Sequence, residues 1–129
     1  MTNISFEKEI SKYVGAKYSV VLTSCTAGLH LASIVSKINK GKVLLTSPIT
    51  FVATANSVLL TGATPVLADV NYDDMNISLN SIKQSITSKT IAILPVHLAG
   101  KICKMTQIKK IAKKYGLKYS TIETIIKRG

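Results

Sequence analysis

The chain of 129 residues has few of the features that mark a secreted, metal-binding or membrane protein. It has no Trp and only two cysteines, Cys25 and Cys103, which lie far apart and match no metal-binding spacing. Neither a metal site nor a disulfide framework is therefore predicted. No apolar run approaches the roughly 18–20 residues that cross a bilayer, and residues 1–5 lack the pattern of a secretory leader. We expect a cytoplasmic protein without a membrane partner.

Acidic residues and arginine are also scarce. The chain has 17 basic and 6 acidic residues, a formal net charge of +11, and Arg128 is its one arginine. Nucleic-acid surfaces use Arg heavily because its forked group contacts phosphates and guanine edges, so a Lys excess is more typical of solvated helix faces. From Lys101 onward, however, nine basic residues stand against one acid, Glu123. This asymmetry leaves nucleic-acid contact open for the C-terminal part.

The apolar residues, 47% of the chain, are enough for one globular domain with a core. Short apolar segments alternate with helical patterns, which is typical of a parallel sheet covered on both faces. Strands are predicted at 18–22, 42–46, 64–70 and 90–96, and helices at 6–14, 29–38, 51–60, 80–86 and 107–115. The predicted fold class is α/β, a three-layer sandwich with a mostly parallel sheet. A site is expected at the carboxyl ends of the strands.

A run of small residues lies where the first predicted strand gives way to a helix, Ser24-Cys25-Thr26-Ala27. The free N–H groups of a first helical turn, together with the helix dipole, favour a phosphate, and small side chains let it reach the backbone. The hydroxyl of Thr26 can add a hydrogen bond. Taken alone, the segment is explained better by an ordinary Ser/Thr helix cap.

Phe51 follows the next strand and opens another helix at the same edge of the predicted sheet. A ring in that position can stack on a flat aromatic cofactor, or it can be a core contact at the start of the helix. His97 also ends a strand at this edge. We interpret His97, and His30 within a helix, as structural residues without a catalytic role.

Five motifs follow one another along the chain. They are Phe6-Glu7, Ser24-Cys25-Thr26-Ala27-Gly28-Leu29-His30, Ser47-Pro48-Ile49-Thr50-Phe51-Val52-Ala53-Thr54-Ala55-Asn56, Gly62-Ala63-Thr64-Pro65-Val66 and Pro95-Val96-His97. In this order they resemble the DegT/DnrJ/StrS sugar-nucleotide aminotransferases, which use pyridoxal 5′-phosphate (PLP). The resemblance implies that residues 1–118 are a partial large domain of a fold-type-I, aspartate-aminotransferase-like transferase.

The resemblance also implies roles for three residues. Cys25 and Thr26 would hold the cofactor phosphate through backbone N–H groups and the Thr26 hydroxyl, and Phe51 would stack on the pyridine ring. The implied activity is transfer of an amino group from an amino-acid donor, usually glutamate, to a keto sugar linked to a nucleotide. Such enzymes serve surface polysaccharide or lipopolysaccharide biosynthesis and are typically homodimers with shared active sites.

After residue 118 the sequence departs from the family pattern. The family has a strand there whose acid pairs with the pyridine nitrogen; Ile122 takes the place of that acid, or Thr124 if the register slips by two. The later Ser-x-His-x-x-Lys motif with the Schiff-base lysine is absent too. We therefore predict no catalytic residue in this chain, and interpret it as a truncated enzyme that is inactive alone, with a divergent tail at 119–129.

The implied fold also isolates the first predicted strand, at 18–22. In that fold the strands separating it from the other three come later in the sequence than residue 129. The segment is thus expected to lack its strand neighbours, and an unpaired apolar strand makes a chain unstable or prone to aggregation.

An alternative interpretation concerns residues 107–128, whose pattern also resembles a helix-turn-helix. Gly116 would lie at the turn, Ala112 at the helix crossing, and residues 118–121 would open a recognition helix in the DNA major groove. The local Lys excess fits phosphate contacts. The alternative function is therefore a DNA-binding protein, although the aminotransferase pattern already accounts for the first half of the segment.

Overall fold

Four parallel strands and five α-helices make up the computed structural model of the chain, which describes residues 2–119. Along the chain the elements are α1 Asn3–Val14, α2 Cys25–Val35, β1 Val43–Thr46, α3 Ala53–Leu59, β2 Thr64–Leu67, α4 Leu79–Ser85, β3 Thr90–Leu94, α5 Met105–Lys114 and β4 Lys118–Tyr119, with a short 3₁₀ turn at Leu98–Gly100. Among these residues no helix has the length and apolar character that crossing a bilayer requires.

The strands form one sheet in the order β2-β1-β3-β4, and every pairing is parallel. Helices connect the strands, because a parallel pair needs a crossover between its members. Pro65 lies in β2, an edge strand, where the missing N–H of proline is tolerated. The predicted α/β class with a parallel sheet is confirmed.

Helices cover both faces of the sheet, because neighbouring residues of a strand point to opposite sides. Leu44 of β1 packs in one cluster with residues of α2 and α3, including Leu29 and Val58. Leu45 packs in a second cluster, which includes Ile82 of α4 and Ile108 of α5. The predicted three-layer arrangement is therefore confirmed.

The prediction of a strand at 18–22 is wrong. The segment has no strand partner among the described residues, and its apolar side chains are exposed, Val20 to 73%. Its hydrogen bonds go to α1 instead: Ser19 Oγ donates to the carbonyl of Glu7 (2.5 Å), and the Val21 N–H donates to the Glu7 carboxylate (2.8 Å). A strand needs neighbours to satisfy its backbone groups, and residues 2–119 offer none to this segment, which agrees with the expectation that its neighbours are missing.

The helix-turn-helix interpretation is also wrong where the structure tests it. Lys118 and Tyr119, which were to open the recognition helix, instead pair with Ala92 and Ile93 as strand β4. The apolar side of α5 packs into the core on one face of the sheet. Helix α5 is therefore the crossover connection between β3 and β4. The rest of the predicted tail at 119–129 lies outside the described residues and stays a prediction.

Candidate functional site

The end of α2 lies beside the end of α3. Ile34 and Lys37 line one surface cleft with Leu60 and Thr61, which come just before the start of β2. The Nζ of Lys118 also donates to the carbonyl of Ser36, the residue that caps the C-terminus of α2, at 2.6 Å. The C-terminus of α2 therefore lies toward the edge of the sheet where the strands begin. Because a helix of 11 residues is about 16 Å long, the N-terminus of α2 points toward the carboxyl ends of the strands.

The N-terminus of α2 is open to solvent. Ser24 caps it, its Oγ accepting from the Ala27 N–H at 3.1 Å. Cys25 and Thr26 are both exposed, and their N–H groups, the first two of the helix, have no intrahelical acceptor. These two N–H groups, the Thr26 hydroxyl and the positive end of the helix dipole suit an anionic group such as phosphate. The donor set therefore fits the phosphate of PLP.

Gly28 of α2 lets the segment that precedes the helix approach it closely. A Cβ built on Gly28 would lie 3.3 Å from Cδ1 of Leu22, tighter than an ordinary contact. Leu22 ends the unpaired segment 18–22 and so rests against α2. The segment and the candidate phosphate-binding turn are thus held next to each other.

Phe51 lies in the loop from β1 to α3. The loop is fixed by short-range hydrogen bonds: the Ile49 N–H donates to Oγ of Ser47 (3.2 Å), and the hydroxyls of Thr50 and Thr54 are 2.8 Å apart. The Phe51 side chain is nevertheless 75% exposed, which argues against a core role. The helix begins two residues later than predicted, at Ala53, so Phe51 stands just before it rather than within its first turn.

The loops after β1 and β3 are joined at their base. The buried hydroxyl of Thr46, the last residue of β1, donates to the carbonyl of Leu94, the last residue of β3, at 2.8 Å. A buried hydroxyl without a partner would be costly, so this bond favours a fixed relation between the two strand ends. Phe51 and His97 therefore leave the sheet from a common, rigid edge.

His97 organises the loop that follows β3. Its Nδ1 accepts from the N–H of Cys103 (3.2 Å), and the thiol of Cys103 donates to the carbonyl of Val96 (3.1 Å). This agrees with the interpretation of His97 as a structural residue. Cys103 is buried and Cys25 exposed, and neither is in a disulfide. Within residues 2–119, no group of three or more His, Cys, Asp or Glu is placed to hold a metal.

Asn76 is a buried structural residue that the sequence did not reveal. Its side chain, 2% exposed, donates from Nδ2 to the carbonyl of Lys101 (3.0 Å) and accepts at Oδ1 from the Leu98 N–H (3.3 Å). These bonds tie the turn after β2 to the loop after β3. An Asn after two Asp residues is read from sequence as an ordinary turn residue, so no local signal pointed to this role.

The same turn holds an acidic side chain in its charged form. The Asn71 amide (3.1 Å) and the Asn76 N–H (3.0 Å) both donate to Oδ1 of Asp74. These bonds, with weaker help from the charges of Lys101 and Lys104, hold the pKa of Asp74 below its ordinary value of 3.8. Asp74 is therefore a turn-stabilising carboxylate and a poor general acid near neutral pH.

Comparison with known proteins gives consistent matches. The profile of the DegT/DnrJ/EryC1/StrS aminotransferase family matches residues 2–120. The spore coat polysaccharide biosynthesis protein SpsC of Bacillus subtilis is 44% identical over 112 residues, which are 87% of this chain and 29% of SpsC. The GDP-perosamine synthase of Caulobacter vibrioides is 38% identical over 114 residues, 88% of this chain and 31% of the synthase.

A solved structure agrees. NtdA from Bacillus subtilis, with the cofactor PMP bound, superposes with a TM-score of 0.89 at 32% identity, over 98% of this chain and 29% of NtdA. Related sugar aminotransferases have been solved in PLP and PMP forms, so the family uses this cofactor. The chain spans about 30% of the length of these relatives.

These matches decide between the two interpretations of the sequence. They cover nearly all of the described residues and extend through α5 and β4, the segment that the helix-turn-helix interpretation claimed. Nothing among them indicates DNA binding, and the predicted resemblance and fold type are confirmed. The chain belongs to the DegT/DnrJ/EryC1/StrS aminotransferase family.

Proposed function

We propose that this chain supplies the phosphate- and ring-binding part of a PLP-dependent enzyme that aminates a nucleotide-linked keto sugar, with an amino acid as donor. One observation carries the proposal: the exposed N–H groups of Cys25 and Thr26 and the exposed ring of Phe51 belong to helix starts at the same edge of the sheet. Their helices, α2 and α3, pack side by side on one face. Relatives that act in polysaccharide and GDP-perosamine synthesis support the sugar substrate.

Each residue has a separate task in this proposal. The N–H groups of Cys25 and Thr26 bind phosphate oxygens, the Thr26 hydroxyl donates one more hydrogen bond, and the dipole of α2 stabilises the negative charge. The Phe51 ring stacks on the flat pyridine and excludes water from one of its faces. When bound, PLP supplies an electron sink for the amino-group transfer.

The 129 residues are proposed to bind the cofactor without a covalent bond and without turnover. None of the 16 lysines stands in the family's lysine motif, and neither Ile122 nor Thr124 can carry the charge that the pyridine nitrogen requires. Amino transfer, and the homodimer with shared sites typical of the family, then belong to the assembled enzyme. The role of this chain alone is to position phosphate and ring.

Calorimetry with pyridoxamine phosphate tests the binding part, because its amine, unlike the aldehyde of PLP, does not react with surface lysines. We expect binding that is lost with pyridoxamine, which lacks the phosphate. Thr26→Val should weaken binding by about tenfold, the scale of one hydrogen bond to a charged group. Phe51→Ala should weaken it by about three- to tenfold, the scale of one aromatic stack.

Two matched variants control for general effects. Thr106→Val changes an exposed Thr on α5 at the other face of the sheet, and Phe6→Ala removes a half-exposed ring from α1. Both should bind pyridoxamine phosphate as the parent chain does. Equal binding of pyridoxamine, or equal loss in the control variants, would refute the cofactor site.

The absence of covalent chemistry has its own test. The chain is incubated with PLP, reduced with borohydride and mapped by peptide mass spectrometry. We expect only scattered, substoichiometric labelling of exposed lysines. One lysine labelled stoichiometrically, with labelling abolished by Thr26→Val, would contradict the proposal that these residues hold the cofactor without a covalent bond.

A further inference from the structure

The outer side of α5 is rich in lysine. Four of the ten residues of this helix are lysines and none is acidic. Its apolar side, which includes Ile108 and Ala112, is buried in the core on one face of the sheet. Lys110, Lys113 and Lys114 lie on the other side of the helix, and all three are exposed. We call these three residues the basic face.

Further lysines surround the basic face. Residues 75–118 contain nine lysines and no acidic residue. Lys83 is exposed on α4, which packs into the same core cluster as α5, and Lys101 and Lys104 are exposed just before α5 begins. On the other face of the sheet, α2 and α3 contain no Lys, Arg, Asp or Glu. The positive charge is therefore concentrated in the layer that α4 and α5 form.

The acidic residues of the described part lie away from the basic face. Glu7 and Glu9 belong to α1, which is joined through residues 18–22 to α2 on the other face of the sheet. The remaining three lie between β2 and α4: Asp69, Asp73 and Asp74. The charge of Asp74 acts on Lys101 and Lys104, at the start of α5. Because α5 leads from the end of β3 to the start of β4, the basic face in its second half lies toward the other edge of the sheet.

Solvation alone does not explain this arrangement of lysines. Lys109 and Lys113, and likewise Lys110 and Lys114, are four residues apart on the helix, and like charges at this spacing destabilise it. A solvated helix face usually combines both signs at that spacing, which stabilises the helix instead. An anionic partner would offset the repulsion between these lysines, so the pattern favours a surface that binds one.

We infer that the basic face binds the surface of a bilayer containing anionic lipids. Clusters of about four to eight basic residues on a helix surface bind anionic lipid head groups. Ile102 and Tyr115, near the two ends of α5, are 70% and 44% exposed, and an apolar or aromatic side chain beside a basic cluster suits the interfacial region of a bilayer. The inference is independent of the proposed cofactor site.

The composition of the face favours lipid over nucleic acid. Lysine ammonium groups are point charges that suit phosphates spread over a surface, whereas nucleic-acid recognition relies on the forked group of Arg, and Arg128 is the one arginine of the chain. The sequence-based expectation of no membrane partner rested on the lack of apolar spans. A contact at the bilayer surface requires no span, and the described residues contain no helix that could form one.

Sedimentation with vesicles tests the inference. The 129-residue chain is mixed with vesicles of phosphatidylcholine, or of phosphatidylcholine and phosphatidylglycerol in equal parts. We expect at least about tenfold tighter binding to the mixed vesicles, lost as salt rises from about 0.05 M to about 0.5 M. Equal binding to both compositions would overturn the inference, because exposed apolar groups would then drive it. Tighter binding to a duplex DNA or RNA fragment, or to polyglutamate, than to the mixed vesicles would overturn it as well.

A pair of charge-matched variants locates the contact. Lys110→Gln, Lys113→Gln and Lys114→Gln combined change only exposed side chains, so the chain should fold while binding to the mixed vesicles falls about tenfold or more. The control combines three changes at exposed lysines in α1 and the segment after it: Lys8→Gln, Lys12→Gln and Lys17→Gln. It removes the same charge and should weaken binding by no more than about twofold. Equal loss in both would contradict the basic face.

A fluorescence measurement gives a second readout that keeps all the lysines. Because the chain has no Trp, Tyr115→Trp introduces a single emitter beside the basic face. We expect its emission to shift to shorter wavelength with the mixed vesicles and not with phosphatidylcholine alone. Tyr13→Trp, at an 89% exposed position of α1, is the control and should not shift. A shift in Tyr13→Trp without one in Tyr115→Trp would place the contact elsewhere and refute the inference.

Discussion

The carboxylate of Glu7 accepts a hydrogen bond from the backbone N–H of Val21 at 2.8 Å, across 14 residues of sequence. With the bond from Ser19 Oγ to the Glu7 carbonyl, it holds the segment 18–22 against α1. The Glu7 carboxylate thus accepts a backbone hydrogen bond that a neighbouring strand would accept within a sheet. Residues 18–22 are therefore attached to α1 by polar contacts, while the side chains of Tyr18 and Val20 stay exposed.

Replacing Glu7 by Ala should release the segment from α1. We expect limited proteolysis between residues 13 and 22 to accelerate, and the Val21 amide to exchange faster. The free energy of unfolding should change by less than about 1 kcal/mol, since one exposed hydrogen bond is lost and α1 buries no side chain. Glu9→Ala, two residues away on the same helix, is the control and should leave the cleavage rate unchanged. Equal acceleration by both variants would assign the effect to α1 helicity rather than to the Val21 contact.

Asn76→Ala should destabilise the whole domain, unlike the change at Glu7. It removes a buried side chain and leaves the part-buried Leu98 N–H and Lys101 carbonyl without that partner, which costs about 1–3 kcal/mol. Urea denaturation measures this as a lower midpoint. Asn80→Ala, at an exposed position of α4, should shift the midpoint little. A midpoint for Asn76→Ala as high as that of the control would mean that water replaces both bonds.

Much of the fold could be predicted because its signals are local. The apolar runs of β1 and β3, and the period of α5, predict inner strands and a helix packed on them. The segment 18–22 carries the same kind of apolar run but forms no strand, because strand formation also depends on neighbours that a local pattern does not contain. At residues 118–119 the pairing with β3 likewise overrides a helix prediction made from charge and a glycine turn.

Local sequence likewise reveals some residues near the strand ends and misses others. A run of small residues at a helix start and an aromatic residue after a strand, read together with the family resemblance, single out Cys25, Thr26 and Phe51 from sequence. Asn76 could not be found, because its two hydrogen-bond partners are 22 and 25 residues away. Residues proposed to meet a ligand at strand ends leave a trace in local sequence, whereas a residue that joins two loops depends on the tertiary fold.

Lys104 stands at the N-cap of α5, where it makes no capping hydrogen bond. A cation at this position meets the positive end of the helix dipole, and the side chain offers no acceptor to the first turn of α5, where the Met105 and Gln107 N–H groups donate to the backbone carbonyls of Cys103 and Lys104. Lys104→Ser should therefore raise the free energy of unfolding by about 1 kcal/mol. Thermal denaturation measures the gain. Lys110→Ser, at an exposed mid-helix position, is the control and should give no gain; a similar rise in both would point to relief of general Lys repulsion instead.

Asp74 should make the stability of the domain depend on pH in acid. Because hydrogen bonds from Asn71 and Asn76 hold its folded pKa below the ordinary 3.8, the unfolded chain takes up a proton first as the pH falls. The stabilisation is complete well above pH 3.8 and is lost as the pH falls through the folded pKa. Urea midpoints measured from about pH 6 to about pH 2 should fall less steeply for Asp74→Asn than for the parent chain. Asp73→Asn removes the same charge without touching those bonds and is the control, and an unchanged slope in Asp74→Asn would show that other carboxylates govern acid unfolding.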